Sequence, residues 1–179
     1  MSHRWLLFAS LLLAACHSAG PYGYSRSYEP LSAEEAAAAG ARELDPVMAQ
    51  RVPQEWKRSR VSVFGVVLER ADAAGGVADL TLSMRTLAER NLCDAAEETT
   101  CRVTVSPHEH ARVHAIVKLR SSDVSGTHGL QAGSLVRVIG RLAAGPAASD
   151  GTSVLEVEYY RHWPRGEYVT TLDSDHMRR

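Results

Sequence analysis

The segment His108-Glu-His-Ala-Arg-Val-His114 gathers three imidazoles within seven residues. In an extended chain positions 108, 110, 112 and 114 share a face, setting His108 and His110 about 7 Å apart at the backbone, within reach of one metal ion. Glu109 then points the other way. A carboxylate as third ligand therefore fails on strand parity, and no His-Glu-x-x-His helix is present. Solvated histidines on the outer face of a strand are the plainer reading of His108 and His110, and neither a metal nor any other cofactor is expected. Ser106, His108 and Asp123 supply the residue types of a nucleophilic triad, but Ser106 precedes Pro107 and reads as a turn serine. The chain has no Gly-x-Ser-x-Gly elbow, no phosphate-cradling glycine loop and no pair of carboxylates that strand spacing forces together. The sequence is read as non-enzymatic.

The N-terminus carries a different kind of chemistry. Arg4 precedes an apolar run from Leu6 to Ala15, ten residues and about half of what a helix needs to cross a bilayer, so residues 1–15 read as an export signal. The run ends in Leu13-Ala14-Ala15-Cys16, which resembles the bacterial lipobox: small Ala14 and Ala15 admit a protease to the backbone, and a thiol is the natural nucleophile for a thioether to lipid. The resemblance implies a lipoprotein in which Cys16 becomes the lipidated N-terminus, palmitate included, and its three acyl chains hold the chain at a membrane. His17, where inner-membrane lipoproteins often carry Asp, implies sorting to the outer membrane, facing the periplasm. The alternative is an ordinary secretory signal cut near Ala15, leaving a free thiol. In an exported, oxidising compartment the remaining cysteines, Cys93 and Cys101, are expected to form one disulfide, closing a loop worth about 2 to 3 kcal/mol. A structural zinc site would want more thiols or a closer pair.

Behind these residues stand the elements that must position them. Residues 16–31, with Gly20-Pro21 and Tyr22, Tyr24 and Tyr28, read as a flexible, lipidated tether whose tyrosines rest on neighbouring surfaces. Ser32-Ala-Glu-Glu35 has capping-box spacing ahead of an alanine run, predicting a short helix to about Ala39 or Leu44 within a 32–59 lead-in, where Trp56 covers one end of a core. From Arg60 the pattern has period two. Val61–Leu68, Val77–Met84, Ala111–Leu119, a strand from Leu135 and Ser153–Tyr160 are the main strands, with a short Arg102–Val105 segment between the second and third. Leu80, Leu82 and Met84 share one face, as do Ala111, Val113, Ala115, Val117 and Leu119, and Leu155, Val157 and Tyr159. Five strands in roughly 100 residues, with Gly65 inside the first and Gly133-Ser-Leu-Val-Arg-Val-Ile-Gly140 leading into the fourth, resemble the OB barrel. The expected architecture is all-β: a five-stranded OB-like barrel over residues 60–168, preceded by a tether and a short helix and followed by a polar tail, 169–179. A simple β-sandwich is the competing fold.

An OB barrel carries binding modules for proteins, sugars and nucleic acids, so the fold alone does not choose among them. Arg112, His114, Lys118 and Arg120 extend one polar face, and Arg137 and Arg141 line a neighbouring strand. Single-stranded nucleic acid needs such cations interleaved with stacking rings. Here the rings cluster elsewhere, and 20 basic against 21 acidic side chains give no general positive field. The richer recognition candidates are Tyr160, Arg161, Trp163, Arg165 and Tyr168, aromatic rings beside rigid cations. Trp163 and Tyr168 could equally close an end of the barrel. The function expected is a membrane-anchored module that binds or scaffolds another envelope protein; binding of peptidoglycan or another envelope polysaccharide is the alternative, and single-stranded nucleic acid ranks below both.

Overall fold

The computed structural model describes Tyr22, residues 25–91, Cys93, and residues 101–144 and 148–173. Among the described residues the strands, in chain order, are β1 (Arg42–Glu43), β2 (Arg60–Ala73), β3 (Val77–Arg85), β4 (Leu87–Ala88), β5 (Val103–Val105), β6 (Arg112–Lys118), β7 (Leu135–Leu142), β8 (Val154–Trp163) and β9 (Tyr168–Thr170). The neighbours run β2-β3-β6-β8-β7, and β7 pairs back onto β2, so these five strands close on themselves. Of the barrel pairs, β6 with β8 is parallel and the other four are antiparallel. This is a five-stranded OB-like barrel, with β1 paired in parallel beside the start of β2.

Alternation sets the interior. Val61, Val63 and Val67 of β2, Leu80 and Leu82 of β3, Val113, Ala115 and Val117 of β6, and Val136 and Val138 of β7 are buried in one cluster, as period-two side-chain direction requires. Two glycines let the strands approach closely enough to curve. A Cβ on Gly140 would lie 2.0 Å from the Glu156 carbonyl oxygen, and one on Gly65 would lie 3.0 Å from Leu82 Cβ. The register shift in β2 falls between Val67 and Glu69, just beyond the Gly65 at which the sequence suggests coiling.

A second register shift, in β8, changes the expected parity. Ile139 pairs with Tyr159 but Gly140 pairs with Val157, so Glu158 is an extra residue and every side chain beyond it changes face. Tyr160 rather than Tyr159 enters the core, and Arg161 and Trp163 are turned to the outside of the barrel.

That outside face is itself covered. β4, β5 and β9 form a separate three-stranded sheet, built from the β3–β6 excursion and the C-terminal strand. Cys93 and Cys101 are joined in a disulfide within the excursion, their Cα atoms 6.1 Å apart. β9 takes in Val169 and Thr170, positions read from sequence as the start of the tail, and Val169 is buried. Val103, Val105, Phe64, Leu135 and Trp163 make a second apolar cluster, packed against Tyr22, Tyr28 and Tyr168. The lead-in folds into three helices, α1 (Ser32–Ala38), α2 (Pro46–Arg51) and α3 (Pro53–Trp56). The proline that opens α2 and the one that opens α3 lack a donor just where helix geometry leaves donors unpaired. As expected, Trp56 covers one end of the core, with the Arg42 guanidinium 3.6 Å from its ring centroid.

Candidate functional site

The C-terminal aromatic segment is drawn into the protein's own packing. The Tyr160 hydroxyl donates to Asp123 Oδ2 at 2.5 Å and accepts from the Arg120 amide at 2.9 Å. Trp163 has no exposed surface, and its indole N–H donates to the Tyr22 carbonyl. The Tyr168 hydroxyl donates to the Gly133 carbonyl at 2.9 Å. Arg161 is buried and its Nη1 donates to Glu34 Oε2 at 3.0 Å. Arg165 is the exposed member of the set, lying beside Gly133. For Trp163 and Tyr168, closure of the domain is the role these positions fit.

Glu34 is the centre of a buried polar network that the sequence does not reveal. α1 begins one residue earlier than its capping-box spacing suggests: Leu31 is the N-cap, and Glu34 rather than Glu35 stands at the third helical position, where its Oε2 accepts the Leu31 amide at 3.2 Å. The shift turns Glu34 onto the barrel, where it is fully buried. Arg137 Nη1 donates to its Oε1 at 2.6 Å, Arg161 reaches its Oε2, and the Tyr28 hydroxyl also donates to Oε1. Burial pushes the carboxyl pKa up, but the bonds from Tyr28, Arg137 and Arg161 outweigh it and hold Glu34 below its ordinary value. Burial first, and then the Glu34 charge, raise the Tyr28 hydroxyl well above its own. The cations also lie near rings, Arg137 5.1 Å from the Phe64 centroid and Arg161 4.7 Å from that of Trp163.

Through this site the described part of the expected tether, Tyr22 and residues 25–31, lies on the barrel. Asn91 donates its side-chain amide to Ser25 O at 2.6 Å, and the Tyr28 amide donates to Glu89 O at 2.9 Å. The Tyr28 ring meets Phe64 edge-on at 5.6 Å. Between this segment, β1 and the outside of β2 and β7 remains a cleft of about 540 Å³, lined by Tyr28, Phe64, Arg90 and Arg137 among others. Cys16 lies outside the described residues.

The opposite face, formed by the outward side chains of β3 and β6, is polar and self-compensated. Arg112 pairs with Glu109 at 3.0 Å, Lys118 donates to the Gly75 carbonyl, and Arg120 pairs with Asp123 at 2.7 Å. His114 sits between two carboxylates: its Nδ1 is 3.0 Å from Asp79 and its Nε2 3.5 Å from Asp150. Partial burial works against its charged form, but Asp79 and Asp150 outweigh it and raise its pKa above the usual histidine value. Arg141, expected beside these cations, pairs with Glu158 at 3.1 Å. Ile116 stands in the middle of the face, half-buried, its neighbours across the pairs being Asp79 and Glu156.

His108 and His110 lie in the turn before β6, so strand parity does not bring them together. His110 Nε2 is 2.7 Å from Thr86 Oγ1 and 3.4 Å from Ser106 Oγ. Among the described residues no three His, Cys, Asp or Glu side chains converge on a point that could hold a metal. Ser106 accepts the Thr86 amide at 3.0 Å and donates to the His108 carbonyl at 3.2 Å, the part of a turn serine. Asp123 is engaged by Tyr160, Arg120 and Ser122 instead. These contacts tie turns and strands together, and they assemble no catalytic set.

No protein-family model matches the chain, and no curated protein matches it. Among solved structures, the small single-stranded DNA-binding protein from Streptomyces coelicolor is similar over 58% of this chain and 91% of its own, at 17% identity and a TM-score of 0.31.

Proposed function

We propose that this non-enzymatic OB-like barrel is a lipid-anchored module that binds another protein of the cell envelope through the outward face of β3 and β6. The anchor is the lipidated Cys16 that the Leu13-Ala14-Ala15-Cys16 motif implies, and the location is the outer membrane, facing the periplasm. What carries the reading is the distribution of side chains over the barrel. Phe64, Trp163, Tyr28 and Tyr168 are committed to the covered face, whereas the strands equivalent to the second and third of an OB barrel, a common ligand-binding face, present Asp79, Thr81, Arg112, His114, Ile116 and Lys118. Such a face offers hydrogen bonds and one apolar contact. Among the described residues it offers no Phe, Tyr or Trp ring on which a base or a sugar could stack, His114 is held between Asp79 and Asp150, and the cations already have acidic or carbonyl partners.

Capture from detergent-solubilised envelope with the lipid retained tests this. One co-purifying protein in stoichiometric amount is expected, lost in Ile116→Arg at unchanged melting temperature. Sedimentation of the wild type with purified peptidoglycan sacculi, without protein capture, would transfer the function to polysaccharide binding. Recovery of the protein from the cytoplasmic fraction would remove the envelope reading altogether.

A further inference from the structure

The chain is docked on the barrel soon after the proposed anchor: Tyr22 is held by the Trp163 indole through its carbonyl, and its ring lies 5.9 Å from that of His128. From Cys16 to Tyr22 is six residues, which fully extended span at most about 20 Å. A domain of this size is roughly 40 Å across. A leash half as long as the body it holds cannot let the far pole reach the bilayer.

We infer that the lipidated protein sits on the membrane in one orientation, with the end of the barrel around Tyr22 and the 119–134 connection against the phospholipid headgroups. This rests on the proposed acylation of Cys16. The surface at that end is compatible with the location: Val124 and Leu31 are 45% and 42% exposed, and Arg120, paired with Asp123, and His128 are exposed beside them, a mixture of apolar and polar groups that the headgroup region accepts. Arg120 is paired with Asp123, and Glu29 and Glu35 are exposed near Leu31, so the short leash and not charge sets the orientation. The opposite pole is fixed by β7, which leaves the 119–134 connection at Leu135 and ends at Leu142, eight residues and about 25 Å further on. Ser149, in the connection that follows, is exposed, and its neighbour Asp150 lies 3.5 Å from His114 near the start of β6, the end of that strand away from the 119–134 connection. The β3–β6 face then stands upright at the side of the barrel, open to a partner that lies beside the module or beyond it.

The test places one dye at each pole. Val124→Cys and Ser149→Cys are labelled separately in the full lipoprotein with Cys93 and Cys101 oxidised, then bound to phosphatidylethanolamine–phosphatidylglycerol vesicles containing a headgroup-attached quencher. Quenching at position 124 is expected to exceed that at 149 by about threefold or more, and a 20-residue Gly/Ser insertion after Ser18 is expected to bring the two close to equal. Equal quenching without the insertion, stronger quenching at 149, or an asymmetry that the insertion leaves untouched would overturn the orientation. Vesicle flotation and intact mass report the anchor separately: a protein that floats and carries lipid but quenches equally defeats only the orientation, whereas one that neither floats nor carries lipid defeats the anchor as well.

Discussion

Glu34 exchanges its hydration shell for two guanidinium groups, a phenol and a backbone amide, and the exchange fastens the N-terminal segment to the barrel. Removing one member of a buried ion network strands the others, a loss of about 3 to 5 kcal/mol. Glu34→Gln, nearly isosteric, should therefore lower urea-unfolding stability by that order; a change under about 1 kcal/mol would show that solvent reaches the arginines. Because the folded pKa lies below the ordinary 4.5, the ionised carboxylate's contribution is complete above about that pH and disappears as pH falls through the lower folded value. The acid limb of a stability–pH curve should flatten in Glu34→Gln. His114 has the opposite sign. Its folded pKa is raised above 6.5, so its bonds to Asp79 and Asp150 contribute fully below that pH and weaken as pH climbs through the higher folded value. Unfolding measured from about pH 6 to about pH 9 should show a decline in the wild type that His114→Gln lacks, and an identical decline in both would assign it to another group.

At the scale of elements, what was legible followed period two. Val113, Ala115, Val117 and Leu119 are buried as their spacing requires, and so are Leu80, Leu82 and Met84. The bulge at Glu158 was not legible, because one extra residue leaves no mark on composition yet reverses every side chain after it. It is the reason Arg161 and Trp163 lie under the N-terminal segment and not in the core. Nor could the sequence reveal the two arginine partners of Glu34, which stand 103 and 127 positions away along the chain. Pro46 and Pro53 open α2 and α3, a signal present in the sequence because proline lacks a donor only where the first helical turn leaves donors unpaired. Trp163 separates the two roles its segment could have. Trp163→Ala should cost about 3 to 5 kcal/mol by opening a cavity under the small sheet. Affinity for the envelope partner, measured well below the melting temperature, should be nearly unchanged; lost affinity with stability intact would return the residue to an interface.

Over the whole molecule, the near balance of charge is also a local one. Arg60 and Arg141 share Glu158, Arg112 has Glu109, and Arg137 and Arg161 share Glu34, so cations that look from sequence like a basic track are spread over separate pairs. The rings likewise serve the covered face, leaving on β3 and β6 the polar surface around Ile116 through which binding of a partner is proposed. The central claim is that this face, on a lipid-anchored barrel, is where an envelope protein binds. The most direct measurement is photocrosslinking in intact cells from a photoreactive amino acid placed at Thr81, at Ile116 or, as a control, at Leu172, which is 76% exposed beyond β9. Adducts to one common membrane-fraction protein from positions 81 and 116, with none from 172, are the expected result; adducts from 172 alone would contradict the account.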